Sequence, residues 1–128
     1  MMADDLASSS LGIEVLDAGP GWAELAMTVT AAMVNGHGIG HGGYVFLFAD
    51  TAFACACNSH GPVTVAAGAD VTFVAPVREG DRLTARATER TRYGRSGVYD
   101  VTVSRAGPDG APEVVAEFRG RSRTVGRP

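Results

Sequence analysis

The chain has 128 residues, the length of one domain with room for one core and little more. Hydrophobic residues make up 45% and charged residues 20%, the balance of an ordinary soluble globular protein. A net charge of −3 gives no general reason to expect nucleic-acid binding, and no apolar run reaches the roughly 18 residues of a membrane span.

Residues 1–10 carry no strong apolar face and read as flexible or as a short helix. They also lack the basic start and apolar run of an export signal, so the cytoplasm is the expected compartment. A first strand is expected over residues 11–16. Asp17-Ala-Gly-Pro-Gly21 is a dense turn signal. A second strand follows over residues 22–30, with Ala23, Leu25, Met27 and Val29 on one face and Glu24 and Thr28 on the other. Residues 31–40 read as loop, where Gly36, Gly38 and Gly40 permit tight backbone.

From Gly42 or Gly43 the pattern changes. Tyr44, Val45, Phe46, Leu47, Phe48, Ala49, Ala52, Phe53, Ala54, Cys55, Ala56 and Cys57 leave almost no polar face. The run predicts a helix of about 17 residues, buried on nearly all sides. Gly61 and Pro62 lie beyond its end. Cys55 and Cys57 point about 200° apart on such a helix, so they read as buried free thiols. Four more strands follow. Val63, Val65, Ala67, Ala69, Val71 and Phe73 mark one face of the third, and Pro76 closes it. Leu83, Ala85 and Ala87 mark the fourth; Tyr99, Val101 and Val103 the fifth; Val114, Ala116 and Phe118 the sixth. Glu79-Gly-Asp81 and Gly107-Pro-Asp-Gly110 are turns, residues 93–97 a loop, and residues 125–128 a flexible tail. The fold class is therefore α+β, a single domain over residues 1–128, with short turns favouring an antiparallel sheet. One sheet face cannot cover a helix apolar all round. The sheet must curl about it, and a second copy of the chain is the economical cover for the rest, so an obligate dimer is expected.

The chemistry concentrates in residues 35–59. At the helix start, after His41, backbone N–H groups lack intrahelical partners and sit at the positive end of the helix dipole. A polarised carbonyl oxygen would be stabilised there; the plainer alternative is a glycine loop needed for the bend. Asp50 is a carboxylate inside an apolar helix, which costs several kcal/mol unless it is partnered. It is either bonded to a neighbouring backbone group or Thr51, or it is a general base or nucleophile. Gly42 and Asp50 are about 12 Å apart along one helix axis, so if both act on one carbonyl, Asp50 belongs to a second subunit. His37 and His41 are four apart, but the glycines around them argue against the helix a shared metal would need, and no metal is expected. Arg119, Arg121 and Arg123 share a strand face, and Arg92 and Arg95 flank Gly94; both groups are either solvated surface or phosphate contacts.

These residues resemble the hotdog-fold acyl-CoA thioesterases, in particular the phenylacetyl-CoA (PaaI-type) family. The resemblance rests on Asn35-Gly-His, His41-Gly-Gly, Leu47-Phe-Ala-Asp50-Thr-Ala-Phe53 and Ala56-Cys-Asn-Ser59. It continues through Phe73-Val-Ala-Pro76, Gly80-Asp81, Gly97-Val-Tyr-Asp100 and Phe118-Arg-Gly120. It implies a curved antiparallel sheet wrapped around one long helix, a homodimer with sites at the subunit interface, and commonly a homotetramer. It implies hydrolysis of an acyl-CoA, with coenzyme A as part of the substrate and no separate cofactor. Asp50 would be base or nucleophile, and the Gly42 N–H would polarise the carbonyl. Asn35 would position water or the carbonyl, His41 would support the site, and Thr51 and Asn58 would stand behind it. Arg92 and Arg95 would meet the CoA phosphates. The strand-three hydroxyl that some hotdog thioesterases use is missing from Val65-Ala-Ala-Gly68, leaving Thr64 and Thr72 as the nearest alternatives. A hotdog enoyl-CoA hydratase or dehydratase, and a non-catalytic acyl-CoA-binding protein, are the competing functions.

Overall fold

The computed structural model describes residues 5–125. Its elements in chain order are α1 (Leu6–Ser10), β1 (Glu14–Gly19), β2 (Trp22–Thr28), α2 (Gly42–Cys57), β3 (Thr64–Phe73), β4 (Arg82–Tyr93), β5 (Ser96–Ala106) and β6 (Pro112–Thr124). A short 3₁₀ turn, Ala31–Met33, lies between β2 and α2. The strands form one antiparallel sheet in the order β1-β2-β4-β5-β6-β3. The helix α2 touches all six strands, so the sheet curls about it. This is the hotdog fold that the resemblance implies. Among the described residues no helix is long and apolar enough to cross a membrane.

The core forms where the apolar face of α2 meets the alternating inner faces of the strands. Phe48, Ala49, Ala52, Phe53 and Ala56 of α2 are buried against Leu25, Leu83, Ala85, Ala87, Val101 and Val103. Phe53 anchors the centre, its ring 5.6 Å from that of Tyr99 and 5.8 Å from that of Phe118. It lies on the bare backbone of Gly120, where a Cβ would come within 2.7 Å of the ring. Truncating such a ring to alanine costs about 3–5 kcal/mol, so Phe53 is a main holder of helix to sheet.

Several expectations shift, and the shifts have physical causes. Strand one begins at Glu14 rather than residue 11, because Leu11–Ile13 is taken up in the exit from α1, where the Leu11, Gly12 and Ile13 N–H groups bond to Ser8 and Ser9 carbonyls. Strand two stops at Thr28; the Val29 N–H bonds to the Asp81 carbonyl instead. The expected loop over residues 93–97 is a tight turn, with β4 running to Tyr93 and β5 starting at Ser96. Two of the sheet's four register shifts break the predicted alternation. In β3 the register shifts between Ala66 and Gly68, so Val63 and Val65 point outward while Ala69 and Val71 are partly buried against the core. In β6 the register against β5 passes over Val115, so Val115 and Ala116 are buried and Val114 is exposed.

At the N-terminus, the short helix that was one of the two readings of residues 1–10 is present as α1; residues 1–4 lie outside the described part. At the other end the Val125 N–H bonds to the Val63 carbonyl, and residues 126–128 lie outside the described part. Within one chain α2 is not covered all round. Tyr44, Phe46, Leu47, Ala54 and Cys55 stay partly exposed, so Cys55 is not the buried thiol expected, whereas Cys57 is.

Candidate active site

The start of α2 is built from backbone. His41 is the N-cap, in extended conformation, and its ring Nδ1 accepts the Gly43 N–H at 3.1 Å. An accepting Nδ1 leaves the ring proton on Nε2. The first four N–H groups of a helix have no intrahelical acceptor, so each needs accounting for. The His41 N–H bonds to the Met33 carbonyl at 2.7 Å, the Gly43 N–H to the His41 ring, and the Tyr44 N–H to the His41 carbonyl at 3.0 Å. The Gly42 N–H has no partner among the described residues. It sits at the mouth of an apolar cavity of about 320 Å³, walled by Ile39, Val45, Val77 and the Phe73–Val74 end of β3. A Cβ on Gly42 would come within 2.9 Å of the Phe73 ring, so no side chain fits there without moving that ring.

Asn35 holds the loop leading into this helix. Its Oδ1 accepts the His37 N–H at 2.9 Å and the Ile39 N–H at 3.3 Å, while its own N–H bonds to the Ile39 carbonyl. Gly40 then donates to the Val77 carbonyl, and a Cβ there would strike the Val77 side chain at 2.4 Å. Asn35 thus shapes the path of the chain into Gly42, with its Nδ2 making no hydrogen bond among the described residues.

Asp50 stands two turns further along. It is partly buried, and its carboxylate has no hydrogen-bond or ion-pair partner among the described residues. The alternative in which Thr51 or local backbone satisfies it therefore fails. Thr51 instead donates to the Leu47 carbonyl and contacts Ser8. Burial, and then the negative charge of Asp5, push the Asp50 carboxyl above its ordinary range. The group opens on a cavity of about 610 Å³, lined by Phe53, Ala54, Cys57 and Asn58 from the helix side and residues 63–66 of β3 and its approach. Asn58 pins that wall: its Nδ2 donates to the Ala54 and Thr64 carbonyls at 2.9 and 3.0 Å, and its Oδ1 accepts the Thr64 N–H at 3.0 Å. The Thr64 hydroxyl is taken by the Pro62 carbonyl and Thr124, and Thr72 is exposed at the far end of the strand.

The Gly42 and Asp50 cavities therefore lie at opposite ends of β3, an edge strand paired to β6 alone. The remaining predicted residues fall elsewhere. His37 is exposed, and among the described residues no group of three metal-ligating side chains gathers around it or His41. Arg119 grips Asp100 with two hydrogen bonds of 2.7 and 2.9 Å, and Arg121 reaches Asp70, so these two arginines belong to ion pairs on the outer sheet face. Arg92 and Arg95 line a separate polar cavity of about 320 Å³ at the β4–β5 turn, together with His60 and Tyr99. Arg92 lies 3.3 Å from Glu89. Burial alone would raise the Glu89 carboxyl, but His60 at 2.7 Å and the Tyr99 hydroxyl at 3.0 Å outweigh it and hold it below its ordinary value.

Sequence reasoning missed the contacts of α1. Asp5 caps that helix through Ser8, and Ser8 meets Thr51, the neighbour of Asp50. The capping spacing of Asp5 and Ser8 was the available signal. Its docking partner lies 43 positions away, which no local pattern reveals.

Comparison with known proteins gives the same frame. The sequence profile of the thioesterase superfamily matches residues 37–111. The chain is 42% identical over 126 residues to the acyl-coenzyme A thioesterase PaaI of Escherichia coli K12, covering 98% of this chain and 87% of that one. It is 44% identical over 111 residues to a putative esterase of Deinococcus radiodurans, covering 86% and 73% of the two chains. The structure of the E. coli PaaI protein superimposes with a TM-score of 0.92 over 98% of this chain and 88% of that one. The TT0310 protein of Thermus thermophilus, 36% identical, superimposes with a TM-score of 0.87 over 94% and 98%. With a helix start that offers a bare N–H, a carboxylate in the same helix and this likeness along nearly the whole chain, the protein belongs to the thioesterase superfamily of the hotdog fold.

Proposed function

We propose that the chain hydrolyses an acyl-CoA thioester, with phenylacetyl-CoA and hydroxyphenylacetyl-CoA as the first substrates to try, at sites each built by two copies of the chain. One observation carries the reading: among the described residues α2 bears an unpartnered N–H at Gly42 and an unpartnered carboxylate at Asp50, each opening on a cavity at its own end of the β3 edge. Two such edges set antiparallel about a twofold axis bring the Phe73 end of one copy to the Val63 end of the other. Gly42 of each copy then faces Asp50 of its partner, and two sites result. Val63, Val65, Phe73 and Val74 are 45–58% exposed, an apolar rim of the kind such a contact covers. The dimer pairs again to a tetramer.

The chemistry follows from the two groups. The Gly42 N–H donates to the thioester carbonyl oxygen and holds the negative charge that grows there. Asp50 takes a proton from water, whose oxygen adds to the carbonyl carbon. When the tetrahedral intermediate collapses, the C–S bond breaks and CoA leaves as the thiolate, which is then protonated; the products are the free acid and CoA. Cations near the Asp50 cavity suit the rest of the substrate. The cavity that Arg92 and Arg95 line shares Cys57 and Thr64 with that of Asp50 and offers guanidinium groups to the CoA phosphates. The E. coli relative's action on acyl-coenzyme A supports this substrate class.

The test mixes two inactive chains, one carrying Asp50→Asn and one carrying Gly42→Pro with Phe73→Leu to make room for the ring. If each site draws on both copies, random reassociation leaves hybrids with one intact site and restores about a quarter of wild-type thiol release. No recovery in hybrids shown to form would sink the two-chain site.

A further inference from the structure

The helix α1 is five residues long, too short to persist unaided. A chain of polar contacts fixes it. The Asp5 carboxylate accepts the Ser8 N–H at 3.0 Å and the Ser8 hydroxyl at 2.6 Å. Ser8 is fully buried, and its Oγ lies 2.8 Å from Oγ1 of Thr51, whose hydroxyl also reaches the Leu47 carbonyl at 3.0 Å. Thr51 follows Asp50 directly, so the chain ties Asp5 to the helical turn that carries the reacting carboxylate. The proton count polarises the tie. Three hydroxyl contacts share two hydroxyl protons. With Asp5 ionised, Ser8 gives its proton to the carboxylate, and Thr51 serves both Ser8 and the Leu47 carbonyl with its own. The arrangement holds a negative charge at Asp5, and the hydrogen bonds from Ser8 keep that carboxyl below its ordinary range.

We infer that Asp5 is a positioning residue for Asp50, holding a second, fixed negative charge beside the reacting carboxylate through Ser8 and Thr51 without touching substrate. The inference rests on the reading of Asp50 as the base. A like charge disfavours ionisation of Asp50 and makes its carboxylate a stronger proton acceptor once ionised. Burial is the larger influence on Asp50 and the Asp5 charge the second. The other titratable neighbours on α2 are Cys57, whose thiol burial pushes up to about 12, and Cys55, which burial also raises; both are neutral across the working range. The β3 side of the Asp50 cavity brings Val63, Thr64, Val65 and Ala66 and no charge.

The test is the pH profile of kcat/KM for Asp5→Asn. Asparagine keeps the cap and removes the charge. The acid limb should move to lower pH by roughly half a pH unit or more, and the plateau should fall by about two- to fivefold. Ser8→Ala cuts the tether and should move the limb the same way by less. The limb is read over the pH range in which circular dichroism shows each variant folded, so acid unfolding is not taken for a shift. An acid limb that stays in place in Asp5→Asn overturns the inference, and a lowered melting temperature beside an unmoved limb leaves Asp5 with stability alone, which also overturns it. Asp50→Asn separates the two levels: wild-type turnover in that variant removes the base itself, whereas an inactive Asp50→Asn with an unmoved limb in Asp5→Asn removes this inference only.

Discussion

The start of α2 and its middle are incomplete in different ways. Among the described residues, a main-chain donor is left over at Gly42 after cap, neighbour and loop have taken theirs. Among the same residues a side-chain acceptor is left over at Asp50 in a half-buried wall. The first is a property of backbone geometry, defended by a ring that admits no Cβ; the second is a property of one residue type in an apolar run. A hydrogen bond left unmade is costly wherever water is scarce, and both groups are spared that cost by opening on a cavity. The comparison teaches where to look for function in a fold otherwise well satisfied: among the described residues no buried side-chain nitrogen or oxygen lacks a partner.

The comparison breaks most decisively at Asp50. Asp50→Asn should lower turnover by about a thousandfold with acyl-CoA binding retained, read by thiol release and by calorimetry with a non-hydrolysable thioether analogue. Wild-type turnover would make the middle of the helix structural. The same variant has a second readout. Because the Asp50 carboxyl is raised above its ordinary value near 3.8, the folded chain holds that proton more tightly than the unfolded one. The stability it contributes is present below that ordinary value and lost as pH rises through the folded one. An asparagine amide does not titrate, so Asp50→Asn should melt higher than wild type at pH 7, by about 2 °C, with the gain vanishing in acid. A lower melting temperature at pH 7 would contradict the sign.

The helix start is tested with proline, since a main-chain donor cannot be removed by changing a side chain. Proline suits the first helical position, and the extended His41 before it is the conformation a proline demands. Phe73→Leu makes room for the ring. In that background Gly42→Pro should cost about a hundredfold in kcat, while Gly42→Ala, which keeps the N–H, should stay within about threefold of its parent. Equal losses would assign the effect to crowding rather than to the donor. The smallest effect falls on the wall of the Asp50 cavity, at the far end of the helix. Asn58→Ala leaves the Thr64 N–H and carbonyl without their helix contact and should lower stability by about 1–3 kcal/mol, seen as a lower urea midpoint with unchanged slope.

The fold was legible because its signals are periodic. The apolar run of α2 and the two-residue alternation of β2, β4 and β5 survive in the structure at the expected faces. The bulges were not legible: one extra residue among Ala66, Ala67 and Gly68 changes nothing that composition or alternation registers. In the site, Asp50 declared itself as a charge among apolar residues, and Gly42 through its place at the helix start. Asn35 was expected to position water or the carbonyl; its Oδ1 holds the His37 and Ile39 N–H groups, a loop contact that no local pattern shows. Asp5 and Ser8 stayed invisible because they act through a helix too short to show a period.

The bulge in β3 has a consequence beyond register. It turns Val63 and Val65 away from the chain's own core, yet both still line the Asp50 cavity. The wall of the Asp50 cavity and the exposed apolar rim are thus made of the same few side chains. On the two-copy reading, the enzyme cannot loosen its association without opening its own site. Catalytic output per chain becomes a function of concentration, falling on dilution.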